Sequence, residues 1–247
     1  MTNKIDQIYQ TMPAKLGSFS FDARVANVFN DMISRSVPGY QQILEMLPTL
    51  ARQFRSNNAN YYDLGCSLGA GLLAMAEGLK NLNSTLIGVD NSSAMIDQAQ
   101  ANLSPLSDIL GGDLTIEFLK QDLLNTRITN AAIVLMNFTL QFIPIEKRDG
   151  ILKTIYSGLN NGGALILSEK IKFDDSRTNQ VLIDIHHQYK SDQGYSELEI
   201  AQKRDAIINV LIPETLDTHV TRLEKAGFSV ITPWVQNLQF ISILAIK

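Results

Sequence analysis

Ala59-Asn60-Tyr61-Tyr62-Asp63-Leu64-Gly65-Cys66-Ser67-Leu68-Gly69-Ala70-Gly71 decides the fold. It reads as a short apolar strand with an acid near its carboxyl end, then a glycine-rich turn opening a helix, Leu72 to Leu79. Glycine has no Cβ and tolerates φ > 0, so such a turn lets a ligand approach backbone N–H groups closely. A tight βα turn without a ligand would read the same way. What separates the two is Asp90-Asn91, 27 positions beyond Asp63, at the end of a second strand Thr85-Leu86-Ile87-Gly88-Val89. An acid about 20 or more residues on, at that strand end, is where a nucleoside's ribose hydroxyls are held.

Two cofactor classes fit that frame, nicotinamide or flavin dinucleotides and S-adenosylmethionine. A dinucleotide sets its pyrophosphate at the helix N-terminus, where the Asp63 carboxylate would repel it. S-adenosylmethionine has no phosphate and carries a sulfonium and an ammonium, so Asp63 is tolerated or helpful there. The run Asp63-Leu64-Gly65-Cys66-Ser67-Leu68-Gly69-Ala70-Gly71 resembles the first motif of class I S-adenosylmethionine-dependent methyltransferases, with Ser67 where glycine is usual. That resemblance implies an α/β, Rossmann-like fold around a seven-stranded, mostly parallel sheet.

The 247 residues, 45% of them hydrophobic, suffice for a single α/β domain over 1–247 with added helices. Net charge is −4, the pI is near 5.4 and no lysine/arginine run occurs. Direct nucleic-acid binding is therefore disfavoured, because phosphate contacts need a clustered basic surface. No apolar run approaches the roughly 20 residues of a membrane span, and no signal-like apolar segment stands at the start. The expectation is no membrane partner and a cytoplasmic location. Cys66 is the single cysteine, which rules out an internal disulfide. With no histidine near it in sequence, it reads as a small residue lining the cofactor loop rather than as a nucleophile.

The chain begins with a helical cover over 1–55. Residues 1–20 are polar with scattered apolar positions and are expected to lie over the body or fray. From Phe21, the apolar set Val25, Val28, Phe29, Met32 and Ile33 marks an amphipathic helix. It stops before Ser36-Val37-Pro38-Gly39-Tyr40, and a second helix runs from Gln41 to Phe54 with Pro48 inside it. Tyr40 is placed either to meet a ligand or to serve as an ordinary interface tyrosine. Ser92 to Leu103 reads as a helix, Leu114 to Leu119 as a third strand ending at Asp122-Leu123, and Ala131 to Met136 as a central buried strand. Ligands sit at the carboxyl ends of strands in open α/β sheets, which puts Asn137 in the site. A helix from Glu146 to Leu159, a turn over Asn160-Asn161-Gly162-Gly163 and a fifth strand from Ala164 to Ser168 follow. Phe228–Ile231 and Leu238–Ile246 close the chain as a hairpin.

Between the fifth strand and the hairpin lies a helical insertion, 171–226. Ser196 and Glu199 form a capping box for a helix running to about Leu211. The block is a substrate lid, a dimer surface or both. His186 and His187 are adjacent, so they are not expected to share a helix face, and His219 is distant; no metal site is expected.

Five blocks carry a closer resemblance: Ser18-Phe19-x-Phe21-Asp22-x-Arg24-Val25-Ala26, Met32-Ile33-x-Arg35-Ser36-Val37-Pro38-Gly39-Tyr40, Asp63 to Gly69, Asn137-Phe138-Thr139-Leu140-Gln141-Phe142, and Gly194-Tyr195-Ser196-Glu197-Leu198-Glu199-Ile200-x-Gln202-Lys203-Arg204. Together they are similar to the carboxy-S-adenosyl-L-methionine synthases, a bacterial family on the route to 5-oxyacetyluridine-type wobble modifications of tRNA. The resemblance implies transfer of a carboxyl group from prephenate to the methyl of S-adenosylmethionine, leaving phenylpyruvate and water. In the route proposed for the family, prephenate's departing ring hydroxyl removes a methyl proton, and the resulting sulfonium ylide captures the released CO2. No Asn/Asp-Pro-Pro-Tyr motif follows the fourth strand, in keeping with a substrate that supplies its own base.

The same resemblance implies cofactor contacts at Tyr40, Gly65, Cys66, Ser67, Asp90, Asn91, Asp122, Leu123 and Asn137. It makes Arg204 the partner of the new carboxylate, reaching in from the neighbouring subunit of a homodimer, and it implies a functional link to a downstream tRNA carboxymethyltransferase. Taken without it, the alternative for Arg204 is a solvated helix charge. An ordinary small-molecule methyltransferase and a non-catalytic cofactor-binding protein are the rival readings.

Overall fold

Seven strands form one sheet in a computed structural model that describes residues 5–10, 19–106 and 114–247. The strands are β1 (Asn60–Leu64), β2 (Ser84–Asp90), β3 (Leu114–Lys120), β4 (Ala131–Asn137), β5 (Leu159–Lys170), β6 (Val230–Asn237) and β7 (Phe240–Ile246). Their order is β3-β2-β1-β4-β5-β7-β6, and β7 runs antiparallel to both β5 and β6 while the other pairings are parallel. The fold class read from the glycine-rich turn, including the antiparallel last strand, is the one observed. Much of the reading for residues 1–20, Ser18 included, falls outside the described residues.

Two apolar layers sandwich the sheet. Helices α2 (Tyr40–Gln53) and α3 (Ala70–Gly78) cover one face through Leu47, Ala51, Leu72 and Met75. Helices α5 (Ile145–Gly158) and α8 (Leu216–Ala226) cover the other through Ile151, Leu152, Ile155 and Leu223. Central strand β4 serves both, Ile133 and Leu135 joining the first layer and Val134 and Met136 the second. Alternate strand residues point to opposite faces, so a strand covered on both sides reads as an unbroken apolar run.

At the N-terminal end, α1 (Ala23–Ser36) starts where Asp22 accepts the Arg24 and Val25 backbone N–H groups, two residues after the expected Phe21. Helix α2 runs through Pro48, as expected. Helix α4 (Ser93–Leu103) is capped by Ser92 and buries Met95, Ile96, Ala99 and Leu103.

Two strand boundaries differ from expectation. Strand β5 begins at Leu159, paired with Ala131, so Asn160 to Gly163 continue the strand across an irregularity instead of forming a separate turn. Gly162 takes φ +77 there, and its N–H donates to the Lys247 carbonyl. First arm β6 extends to Asn237 through Pro233, which an edge strand tolerates because its unpaired side needs no N–H.

Within the insertion, α6 (Ser176–Asp192) precedes α7 (Glu197–Ile207), and the expected capping box of Ser196 and Glu199 is present. The second of these stops at Ile207, short of Leu211, as the chain turns toward Pro213, whose ring disfavours helix in the residue before it. Buried Arg148 ties this region down. It donates to the carbonyls of Ile143, Gln141 and Ile212 and pairs with Glu214, which Arg222 also holds.

Candidate functional site

The carboxyl ends of β1, β2, β4 and β5 open into a cavity of about 570 Å³. Gly65, Ser67, Asp90, Asn91, Asp122, Leu123, Asn137 and Arg204 all line it. Tyr40 and Cys66 do not; they line a smaller recess beside it, together with Asp63, and Gly65, Ser67 and Asn137 border both spaces. Every residue assigned to the cofactor from sequence thus lies at one end of the sheet, where β1 and β4 part toward opposite edges.

Backbone geometry shapes the loop. Gly65 has φ +81, and a Cβ there would run into the Thr139 side chain. Ser67 has φ +47, so the serine that replaces the usual glycine keeps the left-handed conformation at some cost in strain. Its backbone N–H donates to Asp90 Oδ2 at 3.0 Å, and the Ser92 N–H donates to Oδ1 at 2.9 Å. Asp90 is thereby fixed in rotamer with acceptor capacity on each oxygen still open to a pair of hydroxyls. Burial lifts its carboxyl above the ordinary range, and the N–H groups of Ser92, Ser67 and Asn91 pull it back.

Asp63 is 2% exposed. Burial and the nearby Asp90 push its carboxyl up to about 7, opposed by the Leu72 N–H in the first turn of α3. A carboxylate therefore already occupies the helix N-terminus where a dinucleotide would set its phosphates. Asn137 Oδ1 is buried without a hydrogen-bond partner. Such an acceptor costs free energy until a donor reaches it, and it faces the same recess as Asp63.

Tyr40 is buried, its ring centroid 6.5 Å from that of Phe138, which lies 5.9 Å from Phe240. Phe138 holds φ +60, an uncommon conformation for a bulky residue and one that marks this strand end as strained. Burial raises the Cys66 thiol far above its usual range, with Asp63 and Asp90 adding to the effect, so it is no nucleophile. On the outer edge, Asp122 is exposed and accepts the Leu124 N–H at 2.9 Å.

The other wall is cationic. Helix α6 presents Ile183, His186, His187 and Lys190 to the cavity at i, i+3, i+4 and i+7, and α7 adds Lys203, Arg204 and Ile207. Adjacent histidines lie about 100° apart on a helix, so both flank one cavity-facing stripe, contrary to the expectation that they could not share a face. His186 is buried, its Nε2 2.8 Å from the Ser36 carbonyl, and burial holds it down to about 3. Arg204 is half exposed and pairs with Asp205 at 3.1 Å. It stands on the rim of its own chain's cavity.

Sequence reasoning passed over Lys170 and Lys190. Lys170 ends β5, and the strand-end rule that found Asn137 would have found it had the strand not been stopped at Ser168. Lys190 lies on the 183/186/187/190 stripe, whose spacing shows in the sequence without showing what it covers.

This sheet order defines the class I S-adenosylmethionine-dependent methyltransferase fold. Residues 62–163 match the family model described as a methyltransferase domain. A putative S-adenosyl-L-methionine-dependent methyltransferase from Methanococcus maripaludis superposes with a TM-score of 0.59 at 17% identity, covering 95% of this chain and 97% of that one. Magnesium protoporphyrin IX methyltransferase from Synechocystis, solved with SAH, gives 0.60 at 17% identity over 87% of each chain. The chain belongs to the carboxy-S-adenosyl-L-methionine synthase family. It is 48% identical to the Hahella chejuensis protein of that name over 100% of both chains, and 46% identical to that of Mannheimia succiniciproducens over 98% of this chain and 99% of the relative.

Proposed function

We propose that this chain converts S-adenosyl-L-methionine and prephenate into carboxy-S-adenosyl-L-methionine, phenylpyruvate and water. The observation that carries the reading is the single cavity bordered both by Asp90 and Asn137 and by Arg204. Asp90 accepts the ribose hydroxyls, the Asp122-Leu123 edge takes the adenine, and Asp63 with the free Asn137 oxygen receives the methionine ammonium.

In the reaction, prephenate loses its carboxyl as CO2 and its ring hydroxyl as hydroxide, and its ring becomes aromatic. The hydroxide takes a proton from the sulfonium methyl and leaves as water. The resulting methylide carbon bonds to CO2, and Arg204 pairs with the carboxylate so formed. The protein's part is positioning and exclusion of bulk water, which the apolar lining of Phe19, Phe21, Phe29 and Phe142 serves.

Incubation with S-adenosylmethionine and prephenate, followed by mass spectrometry of the nucleosides, tests the reading. A product heavier than S-adenosylmethionine by one CO2 unit is expected. A demethylated nucleoside instead would make the chain an ordinary methyltransferase, and no conversion with any donor would make it a binding protein.

The product is the carboxymethyl donor for wobble-uridine modification, so a tRNA carboxymethyltransferase of the cytoplasm is the functional partner. The insertion acts as lid and as homodimer surface: Val181 and Ile185 on α6, with Leu198 and Ile208 beside them in the block, are between 45% and 59% exposed. Light scattering at micromolar concentration is expected to give twice the chain mass. A monomer at every concentration would remove any role for Arg204 across subunits.

A further inference from the structure

We infer that Lys170 and Lys190 dock the two carboxylates of the carboxyl donor and so select a small dicarboxylate as co-substrate. The inference rests on the reading above and names the groups that hold its second substrate.

Lys170 projects from the end of β5, its Nζ 5.8 Å from the Phe240 ring centroid, and Lys190 comes from the cavity-facing stripe of α6. Among the described residues the side chains of Arg24, Arg35, Lys80, Arg148, Arg204 and Arg222 have carboxylate partners, and those of Lys170 and Lys190 have none. The other cations of this wall are committed. Lys203 donates to Ser36 Oγ at 2.9 Å, lies 5.5 Å from the Tyr195 ring centroid and feels Asp6 and Asp31, while Arg204 holds Asp205.

The acids in the cavity lining are Asp90 and Asp122, both on the nucleoside side. Lys170 and Lys190 therefore face no counter-charge on their own wall, an imbalance in a chain whose net charge is −4. Bound S-adenosylmethionine adds a sulfonium and worsens the imbalance, so the second ligand must be an anion. Burial and repulsion from Lys203 and Lys170 already draw the Lys190 amine down to about 7, the behaviour of a cation kept without a counter-charge. Phe21 and Phe142, in edge contact at 5.3 Å, offer the apolar surface that a carbocyclic ring between the two carboxylates needs. A single carboxylate would leave one ammonium unmatched, which sets the preference for two.

Steady-state kinetics with prephenate varied, on wild type, Lys170→Gln, Lys190→Gln and Lys190→Arg, tests the assignment. Each glutamine variant should raise the donor KM about tenfold or more, the worth of a charge-assisted contact, and the arginine variant should recover most of the loss. Calorimetric affinity for S-adenosylmethionine should be unchanged or tighter, since a like charge near the sulfonium is removed. An unchanged donor KM in both glutamine variants would overturn the inference, as would a parallel loss of S-adenosylmethionine affinity.

A second readout needs no turnover. Phenylsuccinate titrated into the S-adenosylmethionine-loaded protein should bind wild type and bind each glutamine variant about tenfold more weakly. If wild type makes no carboxylated product yet binds phenylsuccinate through these lysines, the reaction assigned above fails and the docking site stands. Equal phenylsuccinate affinity in wild type and variants overturns the docking site.

Discussion

The nucleoside wall takes its groups from successive βα turns. Gly65 and Ser67 follow β1, Asp90 ends β2 and Asn137 ends β4, each held by its own neighbours in the sheet. The helical wall takes Lys170 from the end of β5, Lys190 from α6, and Lys203 and Arg204 from α7, brought together by the packing of an insertion. One wall is rich in hydrogen bonds and holds the acids of the lining, Asp90 and Asp122. The other is charged and unbalanced. On the proposed reading, recognition of the constant part of a ligand is built into the strand ends, and recognition of the reacting part is added by helices laid over them.

Asp90→Ala should break the first wall. Charge-assisted hydrogen bonds are worth roughly 1.5–3 kcal/mol, so affinity for both S-adenosylmethionine and its carboxylated form should fall about tenfold or more, by similar factors. Calorimetric titration showing selective loss of only one ligand would mean that Asp90 reads the reacting group, and the division between the walls would fail.

Arg204→Leu should do the opposite, costing carboxy-S-adenosylmethionine about 1–3 kcal/mol while leaving S-adenosylmethionine unaffected. Arg204→Lys should recover part, since an ammonium keeps the charge but not the fork. The upper end of that range, reached only at concentrations where a dimer forms, would place the arginine across the subunit boundary. The lower end at all concentrations would keep it on its own rim. Equal losses for both ligands would make it a prop for the methionine end.

Glu169 sharpens the contrast, because it neighbours Lys170 in β5 yet points to the opposite face, where it accepts the Leu140 N–H at 2.9 Å. Burial raises its carboxyl from 4.5 to about 8, so the folded state favours the protonated form. Stability from this group is whole below 4.5 and is lost as pH rises through about 8. Glu169→Gln should therefore gain on wild type in thermal denaturation as pH rises across that window, with donor KM unchanged. A changed donor KM would reveal Glu169 as a hidden counter-ion for Lys170 and end the charge imbalance.

Smallest is Ser67→Gly, which relieves a left-handed serine at the cost of a freer unfolded chain. Stability should move by less than about 1 kcal/mol, with S-adenosylmethionine affinity retained. A large loss of affinity would give the Ser67 hydroxyl a contact that the loop geometry does not show.

What was legible follows the same line. Asp63 to Gly71, Asp90 and Asn137 could be read because a strand, a turn and the next strand's end stand at short, regular distances in sequence. The sheet order came with them. Lys170 escaped because the polar pair Glu169-Lys170 ends the apolar run that marks β5 in the sequence, although the strand continues through it. Lys190 escaped because its meaning depends on what lies beneath α6, and a helical stripe does not say what it covers. The end of α7 at Ile207 was overshot, since apolar residues continue past it in a turn that lines the cavity. Tertiary placement decided all three.

The lysines have a consequence for the catalytic cycle. In the proposed reaction prephenate arrives as a dianion beside a cationic sulfonium; phenylpyruvate leaves as a monoanion, and the carboxylated nucleoside has no net charge. Each turnover discharges the cavity, so the grip that captures the donor slackens in the step that consumes it. Added salt should then slow the entry of donor and leave the departure of products nearly untouched.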